Sequence, residues 1–156
     1  MLLALAGCGG RDDAKAAHSA KMDPHDPMAA TATGKKPCEY IARADAEAAI
    51  ELKLPKTTEN VTLGQCDYNT AEFYGSSLSV GDWDGVHTAA QGGDSSHPPQ
   101  SVSGVGDEAL SRGGNLYVRK GDRGFLLSLN GPAVDGLPDR GLARTKALAL
   151  KILANM

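Results

Sequence analysis

The residues of this chain with chemistry to offer are three cysteines, four histidines and a short methionine–histidine string. The string is Met22-Asp23-Pro24-His25-Asp26-Pro27-Met28. Thioether and imidazole ligands suit Cu(I), and Met22, His25 and Met28 at equal spacing could close around one ion, with His18 as a fourth ligand. Against that stand the entropy of ordering a polar, proline-interrupted segment and the ordinariness of Asp-Pro steps in linkers. His87 and His97 share the stretch 82–100 with Asp82, Asp84 and Asp94. Only a scaffold that converged them would make a metal or catalytic site, and the Gly-Gly and Pro-Pro steps favour a solvated loop instead.

Three further patterns are weaker as chemistry. Asp107 and Glu108 are neighbours, and adjacent residues on an extended strand point to opposite faces, so they do not share a substrate. Gly104-Val105-Gly106-Asp107-Glu108-Ala109 has the Gly-x-Gly-x-x-Ala form of a dinucleotide fingerprint. That mechanism needs a strand before it and a helix after it in a parallel βαβ unit. The flanks supply neither, and the segment reads as a tight turn feeding a strand, with Asp107 bonding local backbone. No Ser or Cys shows a nucleophile elbow or a partner motif, so no catalytic residues are assigned and no cofactor is expected.

At the other end of the chain, Leu5-Ala6-Gly7-Cys8 resembles the lipobox of bacterial lipoproteins. The resemblance implies cleavage before Cys8 and lipidation of its thiol. Each buried methylene of an acyl chain contributes roughly 0.8 kcal/mol, so several chains hold a protein firmly where one does not. Met1–Gly7 carry no Lys or Arg, whereas a complete signal peptide has a basic region and a longer apolar run, so this stretch reads as a truncated signal segment. With Cys8 assigned to lipid, Cys38 and Cys66 remain as an even pair. In an oxidising envelope such a pair reads as a disulfide closing a loop of about 28 residues, worth ~3.5 kcal/mol in the chain-entropy model. Two buried free thiols or a metal pair are the alternatives, and neither cysteine lies in a Cys-x-x-Cys or beside a histidine.

Composition narrows the class. Sixteen basic against 19 acidic residues leave a net charge of −3, and aromatics are 4%. Nucleic-acid binding ordinarily shows as a basic stripe interleaved with aromatics, so it is not expected. No stretch approaches the roughly 18 apolar residues of a membrane span. After Cys8, residues 9–37 are dominated by Ala, Thr, Lys, Asp and Pro with no sustained period, the mark of a tether that buries too little to offset its ordering entropy. As a flexible coil it would reach ~30 Å root-mean-square.

The elements come next. Order is expected from Cys38 to Met156 as a single domain. Residues 43–54 are rich in helix formers, with Ile41, Ala46, Ala49 and Ile50 able to line one face and Pro55 closing the segment. Residues 65–69 form a short strand carrying Cys66 and Tyr68 on one face, and 76–81 alternate Leu78 and Val80 with small polar residues. Residues 115–120 and 124–130 flank Gly121-Asp122, which suits a type II′ hairpin. Residues 139–153 form a helix whose apolar face runs through Leu142, Thr145, Leu148, Ala149 and Ile152. The expected fold is α+β: one antiparallel sheet of about four to five strands, with an N-terminal and a C-terminal helix packed on one face.

In this order the motifs resemble small bacterial envelope lipoproteins. Those proteins combine a lipobox, a polar tether, a Cys before the first helix, a second Cys in a Cys-x-Tyr strand, a Gly-x-Gly-Asp-Glu-Ala segment, a Val-Arg-Lys-Gly-Asp hairpin and a terminal helix. Here the matches are Cys38, Cys66-Asp67-Tyr68, Gly104–Ala109 and Val118-Arg119-Lys120-Gly121-Asp122, spread over most of 38–156. The resemblance carries no enzymatic activity. The anchor, the tether and the absence of catalytic signatures point instead to a module in the cell envelope, lipid-anchored and facing the periplasm or exterior, that binds an envelope protein or other component. Trp83 and Tyr74 are the candidate interface anchors, since an aromatic at a loop tip can seat in a partner; Trp83 can equally fold back over the sheet. The expected binding surface is the helix-free sheet face together with the 82–100 loop. Copper handling through Met22, His25 and Met28 is the second reading, and an envelope hydrolase the third.

Overall fold

The computed structural model describes residues 35–72, 74–92, 97–135 and 138–156. Within them the chain is α+β, with one seven-stranded antiparallel sheet and three α-helices. A 3-10 turn, Pro37–Glu39, leads into α1 (Arg43–Ile50), followed by β1 (Lys56–Asn60), β2 (Gln65–Asn69) and β3 (Gly75–Asp82). Then come α2 (Trp83–Gln91), β4 (Gln100–Ser101), β5 (Glu108–Arg112), β6 (Asn115–Lys120), β7 (Arg123–Asn130) and α3 (Pro138–Asn155). The spatial order is β1-β2-β3-β7-β6-β5-β4, so two meanders meet where β3 pairs β7 along the full length of both strands.

Alternation in the strands creates the main core. Leu116 and Val118 of β6 stand opposite Leu127 and Phe125 of β7, which in turn face Leu78 and Val80 of β3; Cys66 of β2 continues the Leu78 row. All of these are buried. Onto this face pack Ala46 and Ile50 of α1 and Leu148, Ala149 and Ile152 of α3. Fully burying each large apolar side chain contributes roughly 1.5–3 kcal/mol, which makes this layer the bulk of the stability. The terminal helices therefore share one face, as their apolar stripes predict. Thr145 within the α3 stripe is buried too, its hydroxyl donating to the Gly141 carbonyl one turn back at 2.8 Å.

Cys38 and Cys66 are joined in a disulfide with a Cα–Cα separation of 5.0 Å. It fixes the segment before α1 to β2. A second clasp lies two residues along the same strand face, where the buried Tyr68 hydroxyl donates to the Ile41 carbonyl at 3.1 Å. The β6–β7 connection is the two-residue turn Gly121-Asp122, and Gly121 alone of the pair has positive φ (61°), which fits type II′.

Three expectations need correction. The sheet has seven strands rather than four to five. β1 reads Lys-Thr-Thr-Glu-Asn and is exposed throughout, so it has no apolar alternation to betray it; its ladder to β2 holds it. β4 is only two residues long, too short to show a pattern, whereas β5 is the strand expected after the Gly104–Gly106 turn.

The stretch 82–100 is not one loop. The Asp82 side chain accepts the Gly85 N–H at 2.8 Å and starts α2 as its N-cap. Val86 and Ala90 of that helix are buried against Leu110 and Tyr117 on the second face of the sheet, which is therefore not free of helices.

Lastly, α1 stops at Ile50, four residues before Leu54. Glu51 takes a left-handed conformation (φ 60°) and ends it. The chain then runs in coil to Leu54, which stays buried and donates its N–H to the Glu47 carboxylate at 3.0 Å.

Candidate functional site

Among the described residues, the patch around Trp83 and a cavity beside the start of α3 each gather side chains able to meet a ligand. At the first, Trp83 opens α2 and folds back over the sheet. A Cβ built on Gly124 would come within 2.9 Å of the Trp83 ring, so the indole covers that glycine. His87 lies one turn along, its ring centroid 5.3 Å from the indole at 46°. The Arg119 guanidinium carbon is 5.9 Å from the same ring, a cation–π contact. Glu108 stands 3.6 Å from Arg119 on the neighbouring strand. The His87 Nε2 is 3.3 Å from the Gln91 side-chain amide. Glu108 and Gln91 thus face Arg119 and His87, although the buried Arg119 Nε makes no hydrogen bond among the described residues, and the half-buried indole lies over the sheet.

Tyr74 is exposed at 39% and precedes β3, whereas Trp83 follows it. Eight residues of strand at about 3.3 Å each separate them, so the two aromatics do not form one patch. Asp107 and Glu108 make separate partnerships. The Asp107 carboxylate accepts the Gly121 N–H at 2.7 Å and lies 3.8 Å from Lys120. These contacts hold its pKa below the ordinary value, the backbone hydrogen bond most of all. Asp107 thus bonds backbone, as expected of a turn residue, but across the sheet at the β6–β7 hairpin rather than within its own turn. Gly104 and Gly106 have φ of 78° and 62° and feed the antiparallel strand β5, with no parallel βαβ unit around them. A Cβ on Gly106 would meet the Arg119 carbonyl oxygen at 2.3 Å, which accounts for the glycine without a nucleotide.

Cys8, Met22, His25, Met28, His18 and Asp94 lie outside the described residues. Among the described residues, no group of three or more His, Cys, Asp or Glu side chains is placed to hold a metal ion, and His87 and His97 do not join Asp82 and Asp84 in one. No helix among those residues is long and apolar enough to cross a membrane.

The second place is a cavity of about 480 Å³ between the end of β7, the β5–β6 turn and the first turns of α3. Its apolar wall is Leu116, Leu129, Val134 and Leu142. Its polar groups include Ser111, Asn115, Asp135 and Asp139. A volume of that size, with an apolar wall and polar groups beside it, is large enough for a small ligand. Val134 and Asp135, after the end of β7, shape one side. The Asp135 and Val134 N–H groups both donate to the Gly131 carbonyl, at 2.8 and 2.9 Å, and the Asp135 carboxylate accepts the Gly131 N–H at 3.1 Å. Gly131 itself has φ 146°, a backbone conformation that favours glycine.

Sequence reasoning missed this cavity. Its walls come from β5, β6, β7 and α3, and no local spacing announces that convergence. The one available signal was the pair Asp135 and Asp139 flanking the break between hairpin and helix. No protein-family model, curated protein or solved structure matches the chain.

Proposed function

We propose that this chain is a lipid-anchored module of the bacterial envelope that binds a ligand or partner and has no catalytic role. Cys8 carries the lipid, residues 9–37 act as a polar tether, and the domain from Cys38 onward is held off the membrane surface. The observation that carries the reading is the Cys38–Cys66 disulfide, which closes the domain's first turn onto β2. Disulfides persist in oxidising compartments and are rare in a reducing cytosol, so this bond supports an envelope location, and a lipobox-like Leu-Ala-Gly-Cys upstream supports attachment there. The binding surface is not the sheet's second face, since α2 lies on it, but the cavity beside α3. Glu108 and Gln91 engage Arg119 and His87 around Trp83, whereas the cavity of about 480 Å³ beside α3 offers room for a ligand.

Metabolic labelling with radioactive palmitate tests the anchor. The wild-type chain, expressed with a complete signal peptide in a bacterial host, takes up label and sediments with membranes, and Cys8→Ser does neither. An unlabelled wild-type chain in the soluble fraction would sink the reading.

A further inference from the structure

We infer that the cavity beside α3 takes a small organic cation with an apolar body, an alkylammonium compound in chemical class. The inference deepens the binding-module reading and rests on it. Two independent features of the cavity define the ligand. The first is shape and polarity: about 480 Å³ backed by Leu116, Leu129, Val134 and Leu142, of which the first three are buried. That wall suits an alkyl or small ring system, whose transfer from water is favourable in proportion to the apolar area buried.

The second feature is charge. The ionisable groups in the lining are the carboxylates of Asp135 and Asp139, and no Lys, Arg or His is among the lining residues described. An anion placed here would meet the like charges of these two exposed carboxylates. The amino end of α3 works the other way, because its unpaired N–H groups attract negative charge. Asp139 lies in that first turn and already supplies it. Asp135 is also positioned in advance, its carboxylate tied to the Gly131 N–H and its own backbone to the Gly131 carbonyl. A carboxylate held that way loses little freedom when an ammonium group pairs with it, and charge-assisted hydrogen bonds are the stronger kind. Ser111 and Asn115 add neutral donors and acceptors at the same wall.

The full chain, isotopically labelled, is titrated with hexylammonium and separately with hexanoate, and amide shifts are followed by NMR. The two probes share size and apolar area and differ in charge. Hexylammonium is expected to shift the amides of Leu116, Leu142 and Thr145 in a saturable way, and hexanoate to bind at least about tenfold more weakly, a difference of ~1.4 kcal/mol. Asp135→Asn with Asp139→Asn should remove the preference while keeping the fold. Leu142→Trp should fill the cavity and abolish shifts from both probes. Equal or tighter binding of hexanoate at the same amides would overturn the cation class and leave a binding cavity in place. No saturable shift from either probe would overturn the cavity as the site, whereas loss of palmitate label from the wild type would strike the anchor alone.

Discussion

The indole of Trp83 rests directly on the backbone of Gly124, with no room for a methyl group between them. A Cβ at Gly124 would meet the Trp83 ring at 2.9 Å, the Val118 carbonyl oxygen at 3.0 Å and the Val86 Cβ at 3.2 Å. Glycine at that position of β7 is thus what lets α2 lie close on the second face. Gly124→Ala is expected to lower stability by about 1–3 kcal/mol through overpacking. Trp83→Ala uncovers the same ground and should cost a similar amount, since the indole is only half-buried. Chemical denaturation measures both, and binding at the α3 cavity should persist in each variant that folds.

The disulfide spans 28 positions and its Cys38 end is further tied by the Cys38 N–H donating to the Glu59 carboxylate at 2.9 Å. Replacing both cysteines by serine should lower stability by about 2–4 kcal/mol without moving the strands, because the ladder of β2 to β1 and β3 does not depend on it. Equilibrium unfolding with and without reductant gives the comparison. A chain indifferent to reductant would mean that residues 38–66 are already constrained in the unfolded ensemble.

Ser76 sits in β3 at 1% exposure, opposite Tyr68 and Leu129, and its hydroxyl finds no hydrogen-bond partner among the described residues. A buried unpaired hydroxyl carries an uncompensated desolvation cost of about 1–3 kcal/mol. Ser76→Ala should therefore stabilise the protein, by roughly 1 kcal/mol, read as a rise in denaturation midpoint.

Acid should destabilise this fold through identifiable carboxylates. Glu47 is held below its ordinary pKa, first by the Leu54 N–H and then by Lys53. Glu51 is lowered by Arg144, which reaches across from α3, and Asp107 by the Gly121 N–H. A carboxylate depressed in the folded state contributes stability that is complete above its unfolded pKa of about 4 and disappears as pH falls through the lower native value. At the alkaline end, burial pushes the Tyr68 hydroxyl up, against the opposing charge of Arg43. Its contribution is complete below the unfolded tyrosine pKa of about 10 and is lost as pH rises through the native value. Carbon-detected titration of these side chains, alongside unfolding at each pH, checks both windows.

How much of this was legible beforehand depended on local density of signal. The β6–β7 hairpin and α3 were readable because apolar residues recur at period two and near 3.6 over enough length to dominate. The pairing of Cys38 with Cys66 followed from counting once Cys8 was set aside. By contrast α2 was hidden by Gly85 and the Gly92-Gly93 step, although Asp82 as a cap and Val86 with Ala90 one turn apart were present as weaker marks. β1 was invisible because an exposed edge strand of Lys, Thr, Glu and Asn carries no alternation, and charged edges are how proteins discourage stray pairing. The cavity beside α3 was unreadable in principle from local pattern. Leu116, Leu129, Asp135 and Thr145 become neighbours only after the second meander folds and α3 docks on it.

Native mass spectrometry of the chain gently solubilised from its own membrane is the decisive test of the proposed lipidated, oxidised envelope protein. The predicted result is a chain beginning at Cys8, heavier by a diacylglycerol and a further acyl group, and lighter by the two hydrogens of the Cys38–Cys66 bond. A full-length chain recovered from the soluble cytoplasm with three free thiols would contradict it.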